Sequence, residues 1–204
     1  MRFLVLIFSV LVLTQCATNE DRRFRVGQSE RAFIIIGVAE AAESREARYA
    51  LLWRRIDGEG GFTALDDRTA FEARTNDGDA LRLRGVPGEF TLLQVEPGVY
   101  ALDSVFAVVR ERRVDYVADG IIHGPERPAF EVGPGEAVYL GIWQAHIEDV
   151  RASARPWRLS EEDLRAVLHN SDEVSGPVRL RAIQTRSVPC TPRPMNARTR
   201  RQVC

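Results

Sequence analysis

The chain of 204 residues contains no lysine, because all 28 of its basic residues are arginine. This absence excludes every mechanism that needs a lysine amine, including Schiff-base chemistry, a Ser-Lys dyad and the phosphate-binding P-loop. An excess of positive charge is also absent, since 29 acidic residues leave a formal net charge of -1. Proteins bind nucleic-acid phosphates through a clear basic excess, so the composition argues against nucleic acid as a partner.

Histidine is scarce as well, with three copies at His123, His146 and His169. None of them is spaced from another as in the zinc-binding H-x-x-x-H pattern, and no G-x-S-x-G nucleophile motif occurs. His146 with Glu148 and Asp149 is the nearest approach to a cluster, which is either a weak metal site or, as we favour, a solvated polar edge. We therefore predict no catalytic residue, no metal site and no cofactor. The alternative is a hydrolytic or metal-assisted enzyme whose loops build a site around His146.

The N-terminus contains one apolar run, Phe3 to Leu13, preceded by Arg2. This run is shorter than the roughly 20 residues that span a bilayer as a helix, and it has the form of a signal peptide. The sequence Leu13-Thr14-Gln15-Cys16 resembles the lipobox of bacterial lipoproteins, which implies a chain cleaved before Cys16 and acylated there with palmitate-type chains. In that family Asp after the cysteine favours the inner membrane, so Ala17 implies the outer membrane. Plain secretion and an uncleaved anchor are the alternatives.

Cysteine occurs three times, an odd number for an exported protein. If Cys16 carries the lipid, Cys190 and Cys204 remain, and an oxidising compartment favours a disulfide between them over two free thiols. Closing a loop of this size is worth roughly 3 kcal/mol in the chain-entropy model. Because the intervening residues have little apolar character, we expect the bridge to order the C-terminal segment and to contribute little to the core.

The C-terminal segment is basic and lacks acidic residues. Its five arginines are Arg186, Arg193, Arg198, Arg200 and Arg201. Gathered in an ordered loop, they are expected to form a small basic patch for acidic polymers or phosphate groups.

Four segments are predicted along the chain: a signal peptide at 1–15, a polar tether at 16–30, one domain at 31–185 and a basic tail at 186–204. Within the domain, short β-branched and aromatic runs alternate with turn signals at intervals of about ten residues, which favours an antiparallel sandwich or barrel. The clearest runs are Ala32–Val38, Tyr49–Ile56, Phe90–Val95 and Val138–Trp143. Trp53 and Trp143 are predicted to be core residues, and Trp157 is predicted to be exposed.

One helix is predicted near the C-terminus of the domain. Ser160 is suited to be its N-cap, and Asp163 is placed to complete a capping box. Leu164, Val167 and Leu168 form an apolar stripe at helical spacing, which predicts packing on a sheet. The predicted fold class is therefore a mainly β, antiparallel sandwich with one C-terminal helix packed on it.

Two stretches of the sequence, Val95–Leu102 and Phe130–Gly141, resemble small bacterial envelope proteins of uncharacterised function. The shared pattern consists of turn glycines and alternating core positions, and the domains of such proteins are thought to be transthyretin-like (prealbumin-like) sandwiches. The resemblance implies a transthyretin- or Ig-like fold and transfers no catalytic residue. The expected function is non-catalytic binding or scaffolding in the periplasm or at the outer membrane. The expected partners are the membrane, through the lipid anchor, and an envelope protein or polymer.

Overall fold

The computed structural model describes residues 23–41, 47–76, 78–111, 114–198 and 200–204. The predicted signal peptide and the predicted lipidation site, Cys16, lie outside these residues. The fold class is as predicted, mainly β with one helix. The elements in chain order are β1 Phe24–Arg25, β2 Ala32–Glu40, β3 Ala47–Arg55, β4 Ala70–Arg74, β5 Leu81–Arg82, β6 Glu89–Val95, β7 Gly98–Glu111, β8 Val114–Ile121, β9 Glu126–Val132, β10 Ala137–Glu148, β11 Arg151–Arg158, α1 Glu161–His169, β12 Val174–Ser175, β13 Arg179–Leu180, β14 Gln184–Ser187, β15 Arg193–Pro194 and β16 Gln202–Val203.

Two six-stranded sheets form the sandwich. Sheet 1 has the order β11-β10-β2-β6-β5, with β13 beside β10, and sheet 2 has the order β14-β9-β7-β3-β4, with β8 beside β7. Sheet 2 is antiparallel throughout its described pairs, as predicted. Sheet 1 departs from the prediction, because β2 and β10 pair in parallel. These two strands are far apart in sequence, so no short hairpin constrains their relative direction.

The strand β2 is buried on both of its faces, which explains its unbroken apolar sequence. Ile34 and Ile36 point into the core between the two sheets, whereas Phe33 and Ile35 join a second apolar cluster beneath α1. An exposed face would have required alternating polar residues. The chain therefore builds a third layer, the helix, over the outer side of sheet 1.

Aromatic side chains fill the centre of the sandwich, as predicted for two of the three tryptophans. Trp53 and Trp143 have no exposed surface, and their rings meet edge to face with centroids 5.2 Å apart. The Phe130 ring also packs against Trp53, with ring centroids 5.3 Å apart. Trp157, predicted to be exposed, keeps 48% of its surface in solvent.

The helix α1 begins at its predicted cap, since the Ser160 Oγ accepts a hydrogen bond from the Glu162 N–H. Asp163 does not complete the predicted capping box. It is buried and forms an ion pair with Arg158 at the end of β11, which ties the start of the helix to the edge of sheet 1. Leu164 packs on the sheet as predicted. In the part of the chain described here, no helix has the length and apolar character needed to cross a membrane.

The chain joins the fold before the predicted domain start at residue 31. Phe24 in β1 is 2% exposed, and its ring lies 5.3 Å from that of Phe33. The strand β1 also pairs with β12. The charged composition of this region predicted a solvated tether, but one buried aromatic residue with a two-residue strand is enough to fix the backbone.

One side of the sandwich is closed where β8 of sheet 2 meets β11 of sheet 1. Gly120 lies at this contact, and a Cβ atom there would stand 1.7 Å from the Ala152 carbonyl oxygen. Only glycine allows the two backbones to approach so closely.

Candidate functional site

The C-terminal tail folds onto the outer face of sheet 2, the face turned away from sheet 1. The predicted disulfide between Cys190 and Cys204 is present, with a Cα–Cα distance of 4.9 Å. Val203 in the bridged loop is 1% exposed and packs with Leu52 and Phe106 of the sheet. The expectation that this segment has no core character is therefore wrong, because it covers apolar side chains that would otherwise face water.

Two of the five tail arginines are bound to acidic residues of sheet 2 and so do not add free charge to the predicted basic patch. Arg186 lies on β14 and pairs with Glu131, with 3.5 Å between Nη2 and Oε2. The Arg201 guanidinium lies 3.9 Å from the centroid of the Phe106 ring, and its Nη1 is 3.8 Å from Oε1 of Glu72. Arg201 therefore contacts Glu72 and Phe106 on the outer face of sheet 2.

A buried ion pair lies beneath the end of the tail. Asp103 is the extra residue of a β-bulge where the β3–β7 register shifts. Its Oδ2 is 2.9 Å from Nη2 of Arg54, and the two side chains are 0% and 1% exposed. Its Oδ1 accepts a hydrogen bond of 2.9 Å from the Cys204 N–H. Cys204 therefore covers a carboxylate in the protein interior and donates a hydrogen bond to it.

A second buried arginine completes this charged cluster. Arg127 is 0% exposed and donates to four main-chain carbonyls at 3.1 to 3.4 Å, including those of Leu102 and Asp103. The Phe62 ring lies 4.4 Å from the Arg54 guanidinium carbon and 5.5 Å from that of Arg127.

Desolvation dominates the electrostatics of this cluster. Burial lowers the pKa of the Arg54 and Arg127 guanidinium groups and raises the pKa of the Asp103 carboxyl. Because these charges are enclosed and bound to one another, the cluster holds the tail on the sheet and offers no access to a ligand.

An open cleft of about 530 Å³ lies between the tail, β4 and β6. Apolar side chains and four carboxylates line it. The lining residues are Leu52, Leu65, Asp66, Asp67, Ala70, Phe71, Glu72, Arg74, Asp79, Ala80, Thr91, Leu92, Met195 and Asn196. These residues come from strands and turns that are far apart in the sequence, so no sequence motif indicates the cleft.

The rim of the cleft is negatively charged. Asp66, Asp67 and Asp79 are exposed. Main-chain N–H groups of the adjoining turn, at 2.8 and 3.0 Å, donate to Asp66 Oδ1 and lower the pKa of its carboxyl. Glu72 lies deeper and is bound by Arg74. The rim acids therefore supply most of the uncompensated charge that a ligand would meet.

A smaller concavity of about 260 Å³ lies on the other side of Arg74. We call it the arginine groove, because its lining contains Arg48, Arg74 and Arg201. Its remaining lining residues are Tyr49, Ala50, Thr75, Asn76 and Val108.

The histidines do not form a reactive arrangement. The Ser153 Oγ lies 3.0 Å from Nε2 and 3.3 Å from Nδ1 of His146, so the hydroxyl is beside the ring and not in line with one nitrogen. The Glu148 carboxylate is 4.0 Å from Nε2, the nitrogen nearer the hydroxyl. A catalytic triad needs the acid on the opposite nitrogen, so this geometry does not favour the enzyme alternative. His123 contacts Arg151, and the described residues contain no group of metal-ligating side chains.

No family model, curated protein or solved structure matches the chain. The lipoprotein and transthyretin-like resemblances therefore stay predictions from the sequence.

Proposed function

We propose that this chain is a lipid-anchored protein of the bacterial outer membrane that binds a ligand, without chemical conversion, in the cleft beside its tail. The lipobox-like sequence supports the anchor. The disulfide supports export, because such bonds persist in oxidising compartments. It also leaves Cys16 as the one cysteine outside the bridge.

The cleft carries the binding part of the proposal. Its volume of about 530 Å³ falls in the range of small-ligand sites, which combine apolar walls with a few polar groups. Leu65, Leu92 and Met195 supply apolar surface, while Asp67 and Asp79 supply exposed negative charge. Complementary charge steers and selects partners. The favoured ligand is an apolar body that carries positive charge, such as an amphipathic basic segment of an envelope protein.

Binding can be tested with a short peptide of alternating leucine and lysine, titrated into the ¹⁵N-labelled protein and followed by NMR. The double variant Asp67→Asn/Asp79→Asn should weaken binding several-fold, because two attractive rim charges are removed. Asp66 is left intact since its carboxylate holds the neighbouring turn. The matched control is Glu126→Gln/Glu148→Gln, which removes two exposed carboxylates outside the cleft.

Shifts should concentrate at the amides of Ala70, Thr91 and Met195, which line three sides of the cleft. A leucine–glutamate peptide of the same length should bind more weakly than the leucine–lysine peptide. Equal loss of affinity in the control variant, or shifts spread over the whole surface, would contradict a ligand site in the cleft.

The anchor is tested separately by the intact mass of the protein extracted from membranes. The mature chain should begin at Cys16 and carry the mass of acyl chains, and Cys16→Ser should leave the precursor uncleaved or release the protein from the membrane. A mature chain that begins elsewhere without added lipid mass would refute this part of the proposal.

A further inference from the structure

A row of polar side chains lies on the outer face of sheet 1, the face turned away from sheet 2. Ala145 of β10 lies in the core between the sheets, and Ala154 opposite it on β11 packs against that core. Successive side chains of a strand point to opposite faces, so the cross-strand pairs on either side point outward. These pairs are Gln144 with Arg155 and His146 with Ser153, and we call the four residues the polar ladder.

The polar ladder presents hydrogen-bonding groups of both kinds. The Arg155 Nη2 donates to the Gln144 Oε1 at 2.8 Å, and the Ser153 Oγ lies 3.0 Å from the His146 Nε2. Arg155 is exposed and the other three residues are half-buried. Amide, hydroxyl and neutral imidazole groups each donate and accept hydrogen bonds, as the hydroxyl groups of a sugar do. The polar ladder therefore suits a ligand with many hydroxyl groups.

Trp157 lies at the end of the polar ladder, where a β-bulge interrupts the pairing of β10 with β11. Trp143 is opposite Pro156 and Ile142 is opposite Arg158, so Trp157 has no Cα partner on β10. Bulges of this kind re-aim a side chain, and the Trp157 ring is about half exposed. The bulge therefore leaves a large apolar ring in solvent beside the polar groups.

The surroundings of Trp157 hold its ring in place. The guanidinium carbon of Arg158 lies 5.9 Å from the ring centroid, and Arg158 is itself paired with the buried Asp163 of α1. A ring that is already positioned loses little conformational freedom when a ligand binds. Tryptophan is also among the residues that contribute most to binding surfaces.

The edge position of β11 does not explain the exposed ring. β11 is the outermost strand of sheet 1 in its described order, and an open edge can accept a further strand from another protein. Pro156, directly before Trp157, supplies no N–H group and hinders such pairing. An occupant that contacts side chains is therefore favoured over an added β-strand.

We propose that Trp157 and the polar ladder bind a linear glycan. The faces of a sugar ring carry C–H groups that pack on an aromatic ring, while its rim carries hydroxyl groups for the ladder side chains. The extended strand from Ser153 to Trp157 spans roughly 12 Å, which exceeds one sugar ring and favours a polymer. This site is separate from the cleft beside the tail, so it does not depend on the function proposed there.

The test is NMR titration of chitotetraose and cellotetraose, which differ in their N-acetyl groups, into the ¹⁵N-labelled mature protein in a detergent without sugar groups. The chain has three tryptophans, and the indole signal of Trp157 is the one missing from Trp157→Phe. That signal should shift on binding. The indole signals of Trp53 and Trp143, which have no exposed surface, should stay in place.

Variants measure the contribution of the ring, with affinity followed at the main-chain amides of Ser153 and Arg155. Trp157→Ala should weaken binding about tenfold, a typical effect of removing an aromatic contact, and Trp157→Phe should recover part of the loss. Gln144→Ala should weaken binding several-fold. The matched control is Val117→Ala, which shortens another exposed apolar side chain, on β8 of sheet 2, and should leave affinity unchanged.

A second measurement needs no variant. Iodide quenches the fluorescence of exposed tryptophan, so a bound glycan should reduce quenching by covering Trp157. Binding of both oligosaccharides assigns the site to glycans in general, and binding of one assigns it to the N-acetylated or the unsubstituted class. Binding of neither, unchanged iodide quenching, or an equal loss of affinity in Val117→Ala and Trp157→Ala would overturn the proposal.

Discussion

Replacement of Asp103 by alanine is the most direct test of how the tail is held on the sandwich. Asp103 is fully buried and neutralises Arg54, and its second oxygen accepts the Cys204 N–H. The Asp103→Ala variant leaves the Arg54 and Arg127 cations in the interior without a carboxylate. It also leaves a main-chain N–H group of the tail without its acceptor.

The expected cost follows from the burial of the pair. Removing one partner of a buried ion pair destabilises a protein by about 3–5 kcal/mol, because an uncompensated charge remains inside. For a domain of this size, that loss lowers Tm by about 6–20 °C. Urea unfolding followed by tryptophan fluorescence gives the free energy of unfolding directly, since Trp53 and Trp143 are fully buried.

A double-mutant cycle isolates the pair from other effects of substitution. The variant Arg54→Met/Asp103→Leu should be more stable than Arg54→Met alone or Asp103→Leu alone, because it removes both charges and keeps the volume. The matched surface pair is Glu131 with Arg186, whose side chains are 67% and 43% exposed, and Glu131→Ala should cost less than about 1 kcal/mol. The reasoning is refuted if Asp103→Ala is as mild as Glu131→Ala, or if the double variant is no better than the single ones.

Three further predictions follow from the packing. Cys204→Ser should lower stability by up to about 3 kcal/mol in a urea titration, because the loop it releases covers the outer face of sheet 2, and an unchanged midpoint would contradict this. Gly120→Ala should cost about 1–3 kcal/mol or more, since its methyl group would overlap the Ala152 carbonyl, whereas Gly58→Ala, in open space, should be nearly neutral in the same thermal melt. Burial raises the pKa of Tyr100 from 10.0 to about 12. The contribution of its protonated hydroxyl to the free energy of unfolding is therefore fully present below pH 10 and is lost as the pH rises through 12. Tyr100→Phe should then show a shallower alkaline decline, by up to about 1.4 kcal/mol per pH unit, and an identical slope would count against it.

The strands of the sandwich core could be read from the sequence because their side chains follow simple patterns. The apolar run at Ala32–Val38 became β2, and Tyr49–Ile56 overlaps β3 closely. Ser160 capped the helix as expected, since a cap is a local hydrogen bond between neighbouring residues. The pairing of β2 with β10 in parallel could not be read, because local patterns do not specify which distant strand becomes a neighbour.

The C-terminal tail also combines one feature that the sequence predicts with one that it does not. The sequence alone predicted the disulfide partners, through the count of cysteines and the expected acylation of Cys16, and the bridge is present. It gave no indication that Cys204 would cover Asp103, because a charged residue inside a strand predicts exposure unless its partner is known.

Only the tertiary structure decided where the candidate sites lie. The cleft and the arginine groove are both built from β3, β4 and the tail. The cleft adds β6 and nearby turns, and the groove adds Val108 of β7 and the residues that follow β4. The spacing of these segments in the sequence carries no chemical pattern. Composition and periodicity determine which residues are buried and which local elements form, since these depend on near neighbours. A binding surface depends on which distant elements pack together, and that is fixed only when the whole core closes.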